Sequence, residues 1–93
     1  MTMGEESREN RIKRMKMRSW RRGTKEMDLI LGPYADAHLP GMDGGALDTF
    51  DALLQEHDQD LYPWITGASP CPTRFAGLLA RIVAFSRTRP RNL

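Results

Sequence analysis

Apolar side chains recur along this chain at the three- and four-residue spacing of helices, and no stretch reads as a strand. Met27, Ile30, Leu31 and Tyr34 stand at i, i+3, i+4 and i+7, one face of a helix that begins near Thr24. Gly32-Pro33 falls inside that face, where proline removes a hydrogen bond and crowds the preceding turn. The helix either kinks there or stops and restarts; Ala35, Ala37 and His38 continue a helix-compatible run and favour the kink. Before it, residues 7–20 open on Ser7 as a cap. They carry a thin apolar stripe (Ile12, Met15, Trp20) among Lys13, Arg14, Lys16 and Arg18.

Leu39-Pro40-Gly41-Met42-Asp43-Gly44-Gly45 is the clearest loop. Asp43 can cap a third helix through about His57, with Leu47, Phe50, Leu54 and His57 along one face. Asp58 or Asp60 can cap a short fourth helix carrying Leu61, Trp64 and Ile65, which Gly67 would end. After Ser69-Pro70-Cys71-Pro72, Thr73 begins a fifth helix with Phe75, Leu78, Leu79 and Ile82 facing inward. The tail beyond Thr88 is polar and expected to be loose. The expected fold is all-α, a compact five-helix bundle. It forms one domain over residues 1–93, with its core within about 7–88. Ile30, Leu31, Phe50, Leu54, Trp64, Phe75, Leu78 and Ile82 are the expected interior.

Charge changes this picture more than composition does. The 93 residues carry a net charge of only +2, but the signs are segregated. Residues 1–26 hold nine Lys/Arg against four Glu, residues 27–72 hold eight Asp/Glu and no Lys or Arg, and residues 73–93 hold five Arg and no acid. Either the basic ends fold back on the acidic middle, or each face meets a different partner. Side-by-side packing of basic and acidic helices is the simpler explanation.

Little in the chain has the spacing of reactive chemistry. His38 and His57 are nineteen residues apart, and no pair of Cys or His has zinc-ligand spacing. His57 reads as a packing or capping residue. Cys71, the single cysteine, lies between two prolines with no sequence-local base, so it is not expected to be a nucleophile. The segment Gly41–Gly45 lacks the Lys and Ser/Thr of a phosphate loop. No catalytic residue and no metal ligand is expected, and the chain reads as a non-enzyme. No apolar run approaches the ~18 residues of a membrane span. Glu5, Glu6 and Glu9 argue against a mitochondrial presequence, and one cysteine suits a reducing compartment. A complete cytoplasmic protein, not a precursor, is therefore expected.

The segment Arg21-Arg22-Gly23-Thr24-Lys25-Glu26-Met27-Asp28 is different in kind. Glycine between two helices permits a turn closed to other residues and leaves backbone that a partner can approach. Arg22 and Glu26 would share a face if both were helical, and Glu26 and Asp28 suit the amino end of a helix. On physics alone, a helix–helix turn with a weak surface ion pair accounts for these features.

The segment also resembles a known signature. Arg22-Gly23-x-x-Glu26, after Trp20-Arg21 and before Met27-Asp28-x-x-Leu31, is similar to the RGxxE motif of the SdhE family, the small assembly factors of succinate dehydrogenase. Gly32-Pro33-Tyr34-Ala35 resembles that family's proline-aromatic step. Phe50-x-x-Leu53-Leu54, then Asp58-x-Asp60-Leu61-Tyr62-x-Trp64-Ile65-x-Gly67, resembles its later block. The glycine-rich segment Pro40–Gly45 departs from the family, whose third helix often begins with a polar cap and acids.

The resemblance implies a five-helix chaperone that binds the flavoprotein subunit of succinate dehydrogenase, and often that of fumarate reductase, and promotes covalent FAD attachment there. The leading expectation is this function in a bacterial cytoplasm. It implies that FAD belongs to the partner and that none is bound stably by this chain. A monomer is expected. Arg22, Gly23 and Glu26 would be the contact residues, with Arg21 and Asp28 as neighbours. The alternative is a nucleic-acid-binding or antitoxin-like regulator using the basic first helix.

Overall fold

The structure, a computed structural model, describes residues 6–88; the expected loose tail beyond Thr88 lies outside them. Five α-helices and no strand occur among these residues. They are α1 (Arg8–Trp20), α2 (Lys25–His38), α3 (Gly44–Leu54), α4 (Asp58–Thr66) and α5 (Thr73–Thr88). Local chemistry sets most of the boundaries. The Ser7 side chain accepts from Asn10 N–H at 3.0 Å, Thr24 from Met27 N–H at 3.3 Å, and Asp43 from Ala46 N–H at 2.8 Å. Each satisfies one of the donors that a helix start leaves open. Gly67, at φ +86°, ends α4 in the left-handed region.

Helix α2 runs through Gly32-Pro33 without a break, so the chain does not stop and restart there. Its inner face, Met27, Leu31, Tyr34 and Ala35, is buried between α1 and α5. Helix α5 contributes Phe75, Leu78, Leu79 and Ile82, and α3 contributes Leu47, Phe50, Leu53 and Leu54. Burying one such side chain is worth about 1.5–3 kcal/mol. Tyr34 joins the layers, stacking on Phe50 at 6.0 Å and meeting the Phe85 ring edge-on at 5.6 Å. Two interior expectations need correction. Ile30 and Trp64 are only half-buried, packed against the core from its margin, with Trp64 beside Phe75 at 6.1 Å. Leu39, read as loop, is fully buried in a short 3-10 turn over Leu39–Gly41.

The third helix also ends earlier than its apolar face suggested. Helix α3 stops at Leu54, and His57 is exposed at the amino cap of α4 with no side-chain bond. Neither Asp58 nor Asp60 is the cap; both lie in the first turn of α4, where their charge complements the helix dipole.

The charge segregation is resolved in part within the chain. From α1, the Arg14 guanidinium donates from Nη1 and Nη2 to the two Asp51 oxygens of α3, at 3.2 and 3.0 Å. Arg11 donates to Asp48 at 2.7 Å, and Arg14 also grips Glu6 through Nε at 2.9 Å. The Arg14 hydrogen bonds hold the Asp51 carboxyl below the usual carboxylate range, against the opposing effect of burial. The same bonds, to Asp51 and then Glu6, raise the Arg14 guanidinium. A carboxylate with a lowered folded pKa stabilises the fold above its unfolded pKa and loses that contribution as pH falls through the folded value. Thermal unfolding should therefore show stability falling below about pH 4. Asp51→Asn should flatten that part of the profile and cost about 0.5–1 kcal/mol at neutral pH, the scale of a partly exposed pair. An unchanged acid limb would place the linkage elsewhere.

Candidate functional site: the turn between the first two helices

Helix α1 closes at Trp20, and Arg21 caps it with its N–H donating to the Arg18 carbonyl at 3.3 Å. The chain then turns through Arg22 and Gly23 before Thr24 starts α2. Gly23 sits at φ +111°, a conformation that side-chain-bearing residues rarely adopt. A Cβ there would meet open space, so the constraint is the backbone and not crowding.

Arg22 lies outside both helices, and its partner is not Glu26. Its side chain, only 9% exposed, reaches across to the α3–α4 corner. Nη1 donates to the Leu54 carbonyl at 2.8 Å, Nη2 to the Glu56 carbonyl at 2.6 Å, and Nε to Asp58 Oδ1 at 2.9 Å. Leu54 O is among the carbonyls that the end of α3 leaves without an intrahelical donor. One guanidinium thus closes α3, holds the link that follows, and pairs with the first residue of α4. Asp28 secures the turn from the other side, accepting the Arg22 backbone N–H at 2.7 Å while half-buried.

The five sequence-predicted residues therefore divide. Arg22 and Asp28 bond within the chain, whereas Arg21, Gly23 and Glu26 are exposed on the outer side. Sequence reasoning did not find Asp58 as the partner of Arg22. The available signal was that both residues belong to motif blocks, and those blocks meet here in space.

The neighbouring hairpin surface has a feature that periodicity did not show. The Trp20 indole lies across α2 at Gly32, where a Cβ would overlap the ring. Its Nε1 donates to Asp36 Oδ2 at 3.1 Å. At the far end of α2, His38 stacks on Tyr34 at 4.4 Å. There an open groove of about 700 Å³ is lined by Tyr34, His38, Met42 and Phe85, among others. Cys71 is half-buried, and no helix among the described residues is long and apolar enough to cross a membrane. The nucleic-acid reading relied on a cationic first helix, but Arg11 and Arg14 are engaged by carboxylates.

A family described as "Flavinator of succinate dehydrogenase" matches residues 13–86, a span that holds the turn and its clamp. The chain belongs to this family. It is 41% identical over 71 residues to the mitochondrial succinate dehydrogenase assembly factor 2 of Mycosarcoma maydis, covering 76% of this chain and 30% of that protein. It is 36% identical over 93 residues to the protein of the same name in Candida glabrata, covering 95% and 61%. For Saccharomyces cerevisiae the figures are 34% over 85 residues, covering 86% and 52%. The chain thus spans between 30% and 61% of the length of these relatives. They overturn the expectation of a bacterial cytoplasmic protein, since they are mitochondrial proteins of fungi. A lone cysteine excludes an internal disulfide in any compartment, so it never distinguished one reducing compartment from another.

Arg22→Ala should lower stability by about 2–4 kcal/mol, because it strips two carbonyls and a half-buried carboxylate of their donor. Arg22→Lys should recover only part of this, lacking the planar fork. Gly23→Ala should cost about 1–3 kcal/mol through backbone strain alone. Urea denaturation of the three variants checks all of these, and a wild-type midpoint for Arg22→Ala would refute the clamp.

Proposed function

We propose that this chain is an assembly factor that binds the flavoprotein subunit of succinate dehydrogenase and promotes covalent FAD attachment to it. The observation that carries the reading is the family match over residues 13–86, which includes a turn held from inside and open outside. The chain acts without a catalytic group of its own and holds no FAD stably; the flavin belongs to the partner. It works as a monomer, and the related flavoprotein of fumarate reductase is a second partner of the same kind.

The proposed contact set is Arg21, Gly23 and Glu26 on the open side, with Arg22 and Asp28 fixing their geometry. Gly23 lets the partner approach bare backbone, and Glu26 offers a carboxylate with no side-chain partner among the described residues. Attaching flavin to a histidine requires a ring nitrogen held near the flavin's methyl carbon. Orientation alone can supply several kcal/mol towards such a step. A small bundle docked on the flavoprotein would stabilise that arrangement over competing conformations.

Glu26→Ala is the clean test, because the side chain is exposed and makes no bond that the fold uses. Its melting temperature should match wild type, while covalent FAD on a co-expressed flavoprotein, read by in-gel fluorescence, should fall several-fold. Gly23→Arg should lose flavin too, but with a lowered melting temperature from its positive φ. Normal flavinylation with Glu26→Ala would remove Glu26 from the contact set.

A further inference from the structure

Among the described residues, four large apolar side chains are well exposed: Met17 at 53%, Trp20 at 38%, Leu29 at 49% and Tyr62 at 45%. Scattered singly, such residues are ordinary on a soluble protein. Three of these four belong to the hairpin of α1 and α2. On α2, Glu26, Leu29, Pro33 and Asp36 follow one another at three- and four-residue steps and so share one stripe. The indole of Trp20 lies beside that stripe, over Gly32 and bonded to Asp36. Met17 stands one turn before Trp20 on the same side of α1. The apolar surface therefore begins at Glu26 and continues down the hairpin from the turn.

We infer that Met17, Trp20 and Leu29 form the apolar centre of the surface on which the flavoprotein docks. This rests on the function proposed above and extends its contact from the turn onto the hairpin. Continuity with the turn argues for the same occupant, since a partner seated on Gly23 and Glu26 necessarily lies over the next turn of α2. Trp20 is already fixed by Gly32 and Asp36, so docking freezes little further side-chain freedom. A pre-set tryptophan among exposed aliphatic side chains is the usual make-up of an interface hot spot. Lys13, Arg18, Arg21 and Lys25 are exposed around it and form no ion pair among the described residues. The matching surface on the flavoprotein is thus an apolar patch bordered by carboxylates, with a hydrogen-bond donor opposite Glu26.

The test measures binding of the purified chain to the isolated flavoprotein subunit, with circular dichroism melts alongside. Met17→Glu and Leu29→Glu keep good helix formers at exposed positions, and Leu29→Ala is a milder second variant. Each glutamate should weaken binding by about tenfold or more and Leu29→Ala by a smaller factor. Tyr62→Glu, equally exposed but on α4, should bind as wild type. If both hairpin variants bind as wild type while Glu26→Ala still abolishes flavinylation, the inference falls and the proposed function stands. If Tyr62→Glu weakens binding and the hairpin variants do not, the docking surface lies on α4 and the inference is overturned. If the wild-type chain does not bind the flavoprotein at all, the proposed function fails and takes the inference with it.

Discussion

One arginine side chain ties the connection between the first two helices to the corner between the next two. The Arg22 guanidinium meets the last carbonyl of α3, a carbonyl of the link that follows, and the carboxylate that begins α4, while Asp28 holds its backbone N–H. Helices α3 and α4 therefore share one nearly buried cation, and α2 holds the backbone that carries it. Desolvating a charge is costly unless it is paired and hydrogen-bonded, and here nearly every direction of the fork is filled. The consequence for function is positional. With Arg22 and Asp28 fixed inward, Gly23 and Glu26 emerge at defined places on a surface that has little freedom to rearrange.

This separates two roles that the motif runs together in sequence. The inner pair maintains the turn, and the outer residues are available to a partner. Gly23 belongs to both groups, since its positive φ is needed for the turn and its missing side chain leaves backbone accessible. Charge follows the same division. Arg11 and Arg14 hold α1 against α3, whereas Arg18, Arg21 and Lys25, nearer the turn, remain on the surface. The basic first helix is thus half structural, in keeping with the side-by-side packing of basic and acidic helices that the charge segregation suggested.

Much of the fold was legible in the sequence because helical periodicity and capping chemistry are local. The caps at Ser7 and Asp43, the start of α2 at Thr24 and the inward faces of α2 and α5 follow from neighbours a few residues apart. What escaped was non-local. The end of α3 is set by a guanidinium 32 residues earlier in the chain, so no pattern around Leu54 could mark it. Leu39 is buried although its neighbours are turn formers, because the 3-10 turn directs it back to the core. The motif residues themselves were legible, but their partners were not. Helical spacing offered Glu26 to Arg22, and the fold supplies Asp58 instead.

The central claim is that the turn held by Arg22 is the face presented to the flavoprotein. Hydrogen–deuterium exchange of the wild-type chain, free and in complex with the flavoprotein subunit, addresses it without any substitution. The account predicts that complex formation slows exchange at the amides of residues 23–30, while the buried stretch of α5 around Leu78–Ile82, already protected in the free chain, changes little. Unchanged exchange across residues 23–30, with new protection confined to the groove lined by Tyr34, His38 and Phe85, would contradict it.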